Sequence, residues 1–403
     1  MSLHVLILLE ALPFPLDPRV RAQSAALRAA GHEVTVVSPT ASPGEPVDEV
    51  LDGVQVRRFP APPAGGGVLG YGREYAIAGL RLRTMVRDVL RESRVDVVVT
   101  CGPPDLLVTL ARPAARRGAA VVFDYREVSP ELFEAKFGRR GLPYWALRVA
   151  ERHAFHAADA VTTVSEPCAE LARARGGVDP SRVFLVGNGA DPERVHPVAP
   201  RPELRRGREH LVLWLGMMSS QDNLHRLVEA AGHVVHSRGR TDVQFALVGP
   251  GDARERLQRD VDERRLGAFV DLPGCVDDEL VRAYISTADV CVGVDEPNAM
   301  NDRAAMRKIF EYMAVGKAVV QFPLREMQRL CGDACAYARP GDAADLAATI
   351  CGLLDDPERR RELGAAGRRR AWNGLMWPAQ VPALLAAVGT ATEAVGPTRR
   401  EGT

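Results

Sequence analysis

Glu311 lies about two turns into a segment that reads as a helix, and a carboxylate there can accept hydrogen bonds from a pair of ribose hydroxyls. The stretch that carries it, residues 295–320, follows a buried-strand pattern, Asp289-Val290-Cys291-Val292-Gly293-Val294, and crosses a polar loop. Asn301 or Asp302 offers an N-cap, and Met306, Ile309, Phe310 and Met313 recur at helical spacing. Gly316 stops the helix, and Ala318-Val319-Val320 opens the next strand. A helix N-terminus with unpaired N–H groups would then face the crevice at a strand's carboxyl end, where open α/β sheets take phosphorylated ligands. Without any comparison, the same pattern also describes an ordinary strand–helix–strand unit with surface charges.

The run Glu311-Tyr312-Met313-Ala314-x-Gly316-Lys317-x-Val319-Val320 resembles the C-terminal donor site of retaining GT-B glycosyltransferases, glycosyltransferase family 4. The resemblance implies that Glu311 holds the nucleotide ribose, as the second glutamate of a spaced pair whose first position is Arg303 here. A nearer sub-pattern, N-D-x-S-T-x-N-K-x-x-E-Y-M-A, is matched at Asn301, Asp302, Lys308 and Glu311, while Ala304-Ala305 replace the S-T pair and Arg307 the second N. Farther back, Gly216 opens a segment where relatives carry an Arg and a Lys that grip the diphosphate; this chain has Met217 and Asp222. Asp222 beside a diphosphate is repulsive. Either other cations compensate, from Arg303, Arg307, Lys308 and Arg19 with Arg303 foremost, or His225 and Arg226 turn inward, or donor binding is degraded. The Gly249-Pro250-Gly251 turn and the segment through Gly274-Cys275 resemble the family's backbone contacts to the nucleotide base.

The N-terminal part, F-P-x-D-P-R-V-R with A-G-H-E-V-T-V-V after it, looks like the start of the same family, whose first loop reaches the donor phosphates and the acceptor. Asp17, Arg19 and Arg21 become candidates on that ground, with helix capping and a solvated face as their ordinary roles. The segment Phe123-Asp124-Tyr125-Arg126-Glu127 resembles the family's D-x-H-D/E motif, in which a histidine lies beside the transferred sugar. Arg126 stands there instead. A guanidinium cannot act as a base near neutral pH; it would clamp a phosphate or carboxylate, or form a structural ion pair. Glu127 keeps the acidic position. Arg126, Glu127 and Asp17 are the catalytic candidates.

Stepping through the elements, apolar runs at 5–9, 33–37, 96–100, 120–124, 160–164 and 183–186 read as buried parallel strands alternating with helices. The first βαβ unit lacks G-x-G-x-x-G, which disfavours a simple dinucleotide site. A linker rich in proline and charge, 192–210, precedes a second set of strands from 211–215 onward. The expected architecture is α/β of the GT-B type: two Rossmann-like domains, residues 1–192 for the acceptor and 193–376 for the donor, with the site in the interdomain cleft. A helix at 377–390 would cross back to the first domain, and 391–403 would be disordered. Residues 60–72, rich in Pro and Gly, read as a mobile loop.

Lys+Arg and Asp+Glu stand at 52 each in 403 residues, so net charge gives no ground for a nucleic-acid partner. The seven cysteines lack metal-ligand spacing and sit partly in apolar runs, which points to reduced thiols and the cytoplasm. The N-terminus lacks the features of a signal peptide, and no apolar run is long enough to span a membrane. Arg83, Arg87 and Arg91 recur at helical spacing; this face is either a solvated flank or a peripheral contact with an anionic membrane.

The reading is therefore a retaining transferase. It would move sugar from a UDP- or GDP-sugar to a small-molecule or glycan acceptor, with no metal and no other cofactor, since D-x-D is missing. The competing reading is a catalytically silent GT-B protein that scaffolds a partner enzyme, favoured by Met217, Asp222, Arg303 and Arg126. A phosphorylase would need a pyridoxal lysine pattern that this chain lacks.

Overall fold

The computed structural model describes residues 2–42, 44–62, 67–219 and 222–400. It divides into two compact units, residues 1–187 with 380–403, and residues 188–379.

The first unit is built on β1 (His4–Leu8), β2 (Glu33–Pro39), β3 (Asp48–Leu51), β4 (Val54–Phe59), β5 (Val97–Cys101), β6 (Ala120–Tyr125), β7 (Ala160–Thr163) and β8 (Val183–Leu185). Their order is β3-β4-β2-β1-β5-β6-β7-β8. Every pairing is parallel except β3 with β4. The central strands are runs of Val, Leu and Ile buried on both faces, as a sheet covered by helices requires. Asp17 caps the helix Pro18–Ala29, accepting from the amides of Arg19 and Val20 at 3.0 and 2.9 Å.

The second unit holds β9 (His210–Leu215), β10 (Val243–Val248), β11 (Val270–Gly274), β12 (Val290–Gly293), β13 (Ala318–Gln321) and β14 (Ala336–Tyr337). All are parallel, in the order β11-β10-β9-β12-β13-β14. Apolar layers cover its two faces, one around Trp214 and Phe245, the other around Phe310 and Tyr312. In both sheets the chain runs outward one way and then crosses to the other side of its first strand. The reversal falls between β1 and β5 in one, and between β9 and β12 in the other. Crevices at the carboxyl ends of such strands are where α/β sheets take ligands.

Three expectations need correction. Residues 192–210 are not a free linker: Val195 is buried in the second unit's core, as is Ala190 just before them, and that unit starts at Asn188 rather than at 193. Of the expected tail, residues 391–400 belong to a helix, and 401–403 lie outside the described residues. The helix Val381–Arg400 packs on β6, β7 and β8, and its Ala391 and Val395 are buried. The chain re-enters the first unit at Gln380, after a short 3-10 turn Trp377–Ala379. Finally, the helix carrying Glu311 is Arg307–Val315, and Asn301–Arg303 is a separate 3-10 turn. Ala304 and Met306 are extended, with ψ 138° and 103°, and interrupt the helical run. Of the expected loop at 60–72, residues 63–66 lie outside the described residues and Gly67 already starts the helix Gly67–Glu92.

Candidate active site

The second unit gathers most of the candidates at the carboxyl ends of β9, β10 and β12. The loops after β9, β10 and β11 stack backbone on backbone. The Gly216 amide donates to the Val248 carbonyl at 3.1 Å, the Met218 amide to Pro250 at 2.6 Å, and the Gly249 amide to Gly274 at 2.9 Å. Gly249, at φ 139°, could not carry a side chain, since a Cβ would stand 1.8 Å from the Gly216 carbonyl oxygen. Gly216 and Gly249 thus make a flat backbone floor, with the exposed Cys275 at its edge. Met217, in the place of the family arginine, is half exposed.

Glu311 is nearly buried, its side chain 7% exposed. Arg194 donates to its Oε1 at 2.6 Å and reaches Asp278 at 2.9 Å. Arg307, one helical turn before it, lies 3.6 Å from the same oxygen. Both arginines address Oε1. The next residue, Tyr312, accepts the Leu215 amide at 2.7 Å and so ties this helix to the end of β9. The helix starts without a side-chain cap, although the Ile309 amide already donates to the Met306 carbonyl at 3.1 Å; a helix N-terminus of this kind favours an anion.

Lys308, in the first turn, meets Asp295 at 2.9 Å and sits over the Trp214 ring, 4.9 Å from its centroid. Asp222 accepts the Ser219 amide at 2.9 Å. Burial pushes its carboxyl up to about 6, although Lys308 pulls the other way. Lys308 therefore answers two acids. Arg303 turns its guanidinium to the Ala299 carbonyl, and lies on the 3-10 turn rather than at the helix start. Asn301 is buried, donating to the Glu296 carbonyl at 2.8 Å. Asp302 accepts the amide of Arg325 at 3.1 Å, so it caps the helix Arg325–Cys331 instead of the one carrying Glu311.

In the first unit the candidates are joined differently from the expectation. Arg19 is 2% exposed and grips Asp124 with two bonds of 2.9 and 2.7 Å, while also donating to the Val186 carbonyl at 2.8 Å. Gln23 and Thr162 complete the set on Asp124 at 3.0 and 2.8 Å. Burial alone would raise the Asp124 carboxyl, but Arg19 above all holds it at about 2. Arg19 is thus a core ion-pair partner, not a residue reaching for a diphosphate; a guanidinium spent on a buried carboxylate is costly to withdraw. Asp17, 1% exposed, gives one oxygen to its helix and the other to Arg126 at 2.7 Å. It is a cap and a counter-ion, not an open acid. Arg126 keeps part of its surface, and although burial works against its charge, Asp17 together with Cys101 and Asp124 more than offsets this. Glu127 reaches solvent from crowded surroundings; loss of hydration, opposed by Arg126, raises its carboxyl above the ordinary value.

Two residues were missed. Arg194 lies in the stretch read as a linker, where nothing local marks it as the partner of an acid far along the chain. Glu10 follows β1 and is 5% exposed. Its signal was present, an acid closing an apolar strand.

Two Rossmann-like sheets, one mixed and one wholly parallel, are the architecture of the GT-B glycosyltransferases that the chain resembles in structure, and two domain families match it in sequence. The glycosyl transferase 4-like domain covers residues 16–189, and the glycosyl transferases group 1 domain covers residues 209–356. The chain belongs to the GT-B glycosyltransferases of the family-4 type. It is 27% identical over 222 residues to the alpha-D-kanosaminyltransferase of Streptomyces kanamyceticus, covering 53% of this chain and 56% of the relative. It is 29% identical over 256 residues to the alpha-maltose-1-phosphate synthase of Mycolicibacterium smegmatis, covering 56% and 62%. These two matches thus span less than two thirds of either relative. Among solved structures, the sucrose-phosphate synthase of Thermosynechococcus elongatus superposes with TM-score 0.76 at 21% identity, over 94% of this chain and 96% of that one. Anabaena HepE, in complex with UDP-glucose, gives 0.70 at 16%, over 95% and 98%.

Proposed function

We propose that the chain transfers a sugar from a nucleotide diphosphate sugar, UDP- before GDP-linked, to a small-molecule or glycan acceptor with retention at the anomeric carbon. The observation that carries this is Glu311, held by Arg194 through one oxygen, one turn into an uncapped helix beside the β9–β12 reversal. A ribose diol would bind the carboxylate, and the nucleotide base would lie along the backbone of Gly216, Gly249 and Cys275. The leaving diphosphate would meet the helix amides and Lys308. HepE's complex with UDP-glucose and the sugar-transferring relatives support the same reading.

In this proposal no metal takes part. One group of potential ligands exists among the described residues, Glu209, His210 and Asp242, and His210 begins β9, at the opposite end of the strand from Gly216. Free cysteines throughout suit a reducing compartment, so we place the protein in the cytoplasm. No helix of the described residues is long and apolar enough to cross a membrane.

A second reading, a silent GT-B binder, is favoured by one observation: Asp295 and Asp222 both draw on the charge of Lys308. The two separate in a donor screen with UDP-, GDP- and dTDP-sugars, read by nucleotide release with and without EDTA. Transfer predicts release with one donor class, unchanged by EDTA, and a product of retained configuration by NMR. No release with any donor supports the silent binder.

A further inference from the structure

Glu10 stands two residues beyond β1, at the reversal of the first sheet, with β2 on one side of its strand and β5 on the other. Buried acids are as a rule paired, because an unmatched carboxylate loses its hydration without return. The other buried acids of the described residues obey this: Asp17, Asp124, Glu131, Glu151, Asp295, Glu311 and Glu326 meet cations, and Asp105 meets the Ser129 hydroxyl at 3.0 Å. Glu10 is the exception. Although it is 5% exposed, no hydrogen bond or ion pair joins it to a described residue, and its oxygens are not among the atoms sealed from solvent. The carboxylate is buried, unpaired and open to entry from outside.

Its electrostatic surroundings make the carboxylate selective. The charged group acting on it is a second acid, Glu74, on the helix Gly67–Glu92. Burial, and then Glu74, push the Glu10 carboxyl up to about 7. A hydroxyl entering here would leave the negative charge uncompensated. An ammonium group supplies both N–H donors and the missing charge.

We infer that Glu10, at the β1–β5 reversal, receives a protonated amino group of the acceptor, so that the acceptor is an amino sugar, an aminocyclitol or a similar amine-bearing polyol. This rests on the transferase reading above, and the closing experiment keeps the two apart.

The probes are D-glucosamine and D-glucose, which differ by one amine for one hydroxyl, followed by ligand-observed NMR on the full chain near pH 7. UDP binding is measured in parallel by calorimetry. Glucosamine should bind about tenfold or more tighter than glucose, the scale of one charge-assisted hydrogen bond. Glu10→Gln should bring the two probes level while leaving UDP affinity and the circular dichroism spectrum unchanged. Equal binding of the probes by the wild type, binding of neither, or a preference that survives Glu10→Gln would overturn the inference. If UDP fails to bind but glucosamine preference is present and lost in Glu10→Gln, the donor reading falls and the amine site stands.

Discussion

Arg194 and Glu311 face each other at 2.6 Å in the second unit, although 117 residues separate them along the chain. This pair fixes the carboxylate on which the nucleotide reading depends. Arg194 is a positioning residue: it addresses one oxygen and braces against Asp278 with its other nitrogen. Arg194→Met would leave a nearly buried carboxylate with only the looser contact to Arg307. Breaking such a pair costs about 3–5 kcal/mol of stability. Beyond the lost stability, nucleotide affinity should weaken, because the carboxylate that takes the ribose loses its brace. Calorimetric titrations of UDP into the wild type, Arg194→Met and Arg194→Lys at one pH test this. An unchanged affinity in the folded Arg194→Met variant would reduce Arg194 to a structural role, as would failure of Arg194→Lys to restore part of it.

Asp222 gives the donor site a pH dependence. Its carboxyl is raised to about 6 by burial. Below that pH it takes up a proton, and its repulsion of a diphosphate is relieved. UDP-glucose, whose diphosphate does not titrate in this range, should therefore bind more tightly as pH falls through about 6. Asp222→Asn should bind it more tightly at pH 7.5 and flatten the profile. The stability sign follows from proton counts: with its folded value above the ordinary 3.8, the native state holds more protons in between, and stability falls as pH rises through this window. Asp222→Asn should then melt higher than the wild type at pH 7.5. A profile identical in variant and wild type would count against Asp222 as a donor-site group.

The strands were legible because parallel sheets covered on both faces demand continuous Val, Leu and Ile, and β10 runs from Val243 to Val248 as its apolar run predicts. The hairpin of β3 and β4 was not read, since Asp48–Leu51 is exposed or half-buried and carries little apolar signal. The unit boundary at Gly187 was missed because 192–210 has the composition of a linker, while Val195 within it and Ala190 before it are buried in the second unit's core. In the site, Glu311 and Lys308 were found through a motif. Arg194 was invisible for want of any local pattern, and Arg19 was misread because sequence does not show that Asp124 is waiting for it. Charge-pairing partners are set by tertiary packing, and sequence spacing speaks only to pairs one or two turns apart.

Arg19→Met separates the structural from the donor-binding role. Removing it leaves Asp124 buried with only Gln23 and Thr162 as partners, which should cost about 3–5 kcal/mol in urea unfolding at pH 7. Asp124 is held at about 2, below its ordinary 3.8, so the pairing's contribution is complete above about pH 4 and fades as pH drops towards 2. The gap between variant and wild type should narrow over that range. Nucleotide affinity of the folded variant should not change; a loss of tenfold or more (about 1.4 kcal/mol) would restore Arg19 to the donor site.

The most direct measurement is a calorimetric titration of UDP into the wild type and into Glu311→Gln at pH 7.5, with circular dichroism confirming an unchanged fold. The account predicts that the wild type binds UDP and that the variant binds more weakly by about 1.5–3 kcal/mol, the worth of a hydrogen bond to a charged group. Equal affinities in the two proteins, or no UDP binding by the wild type, would contradict it.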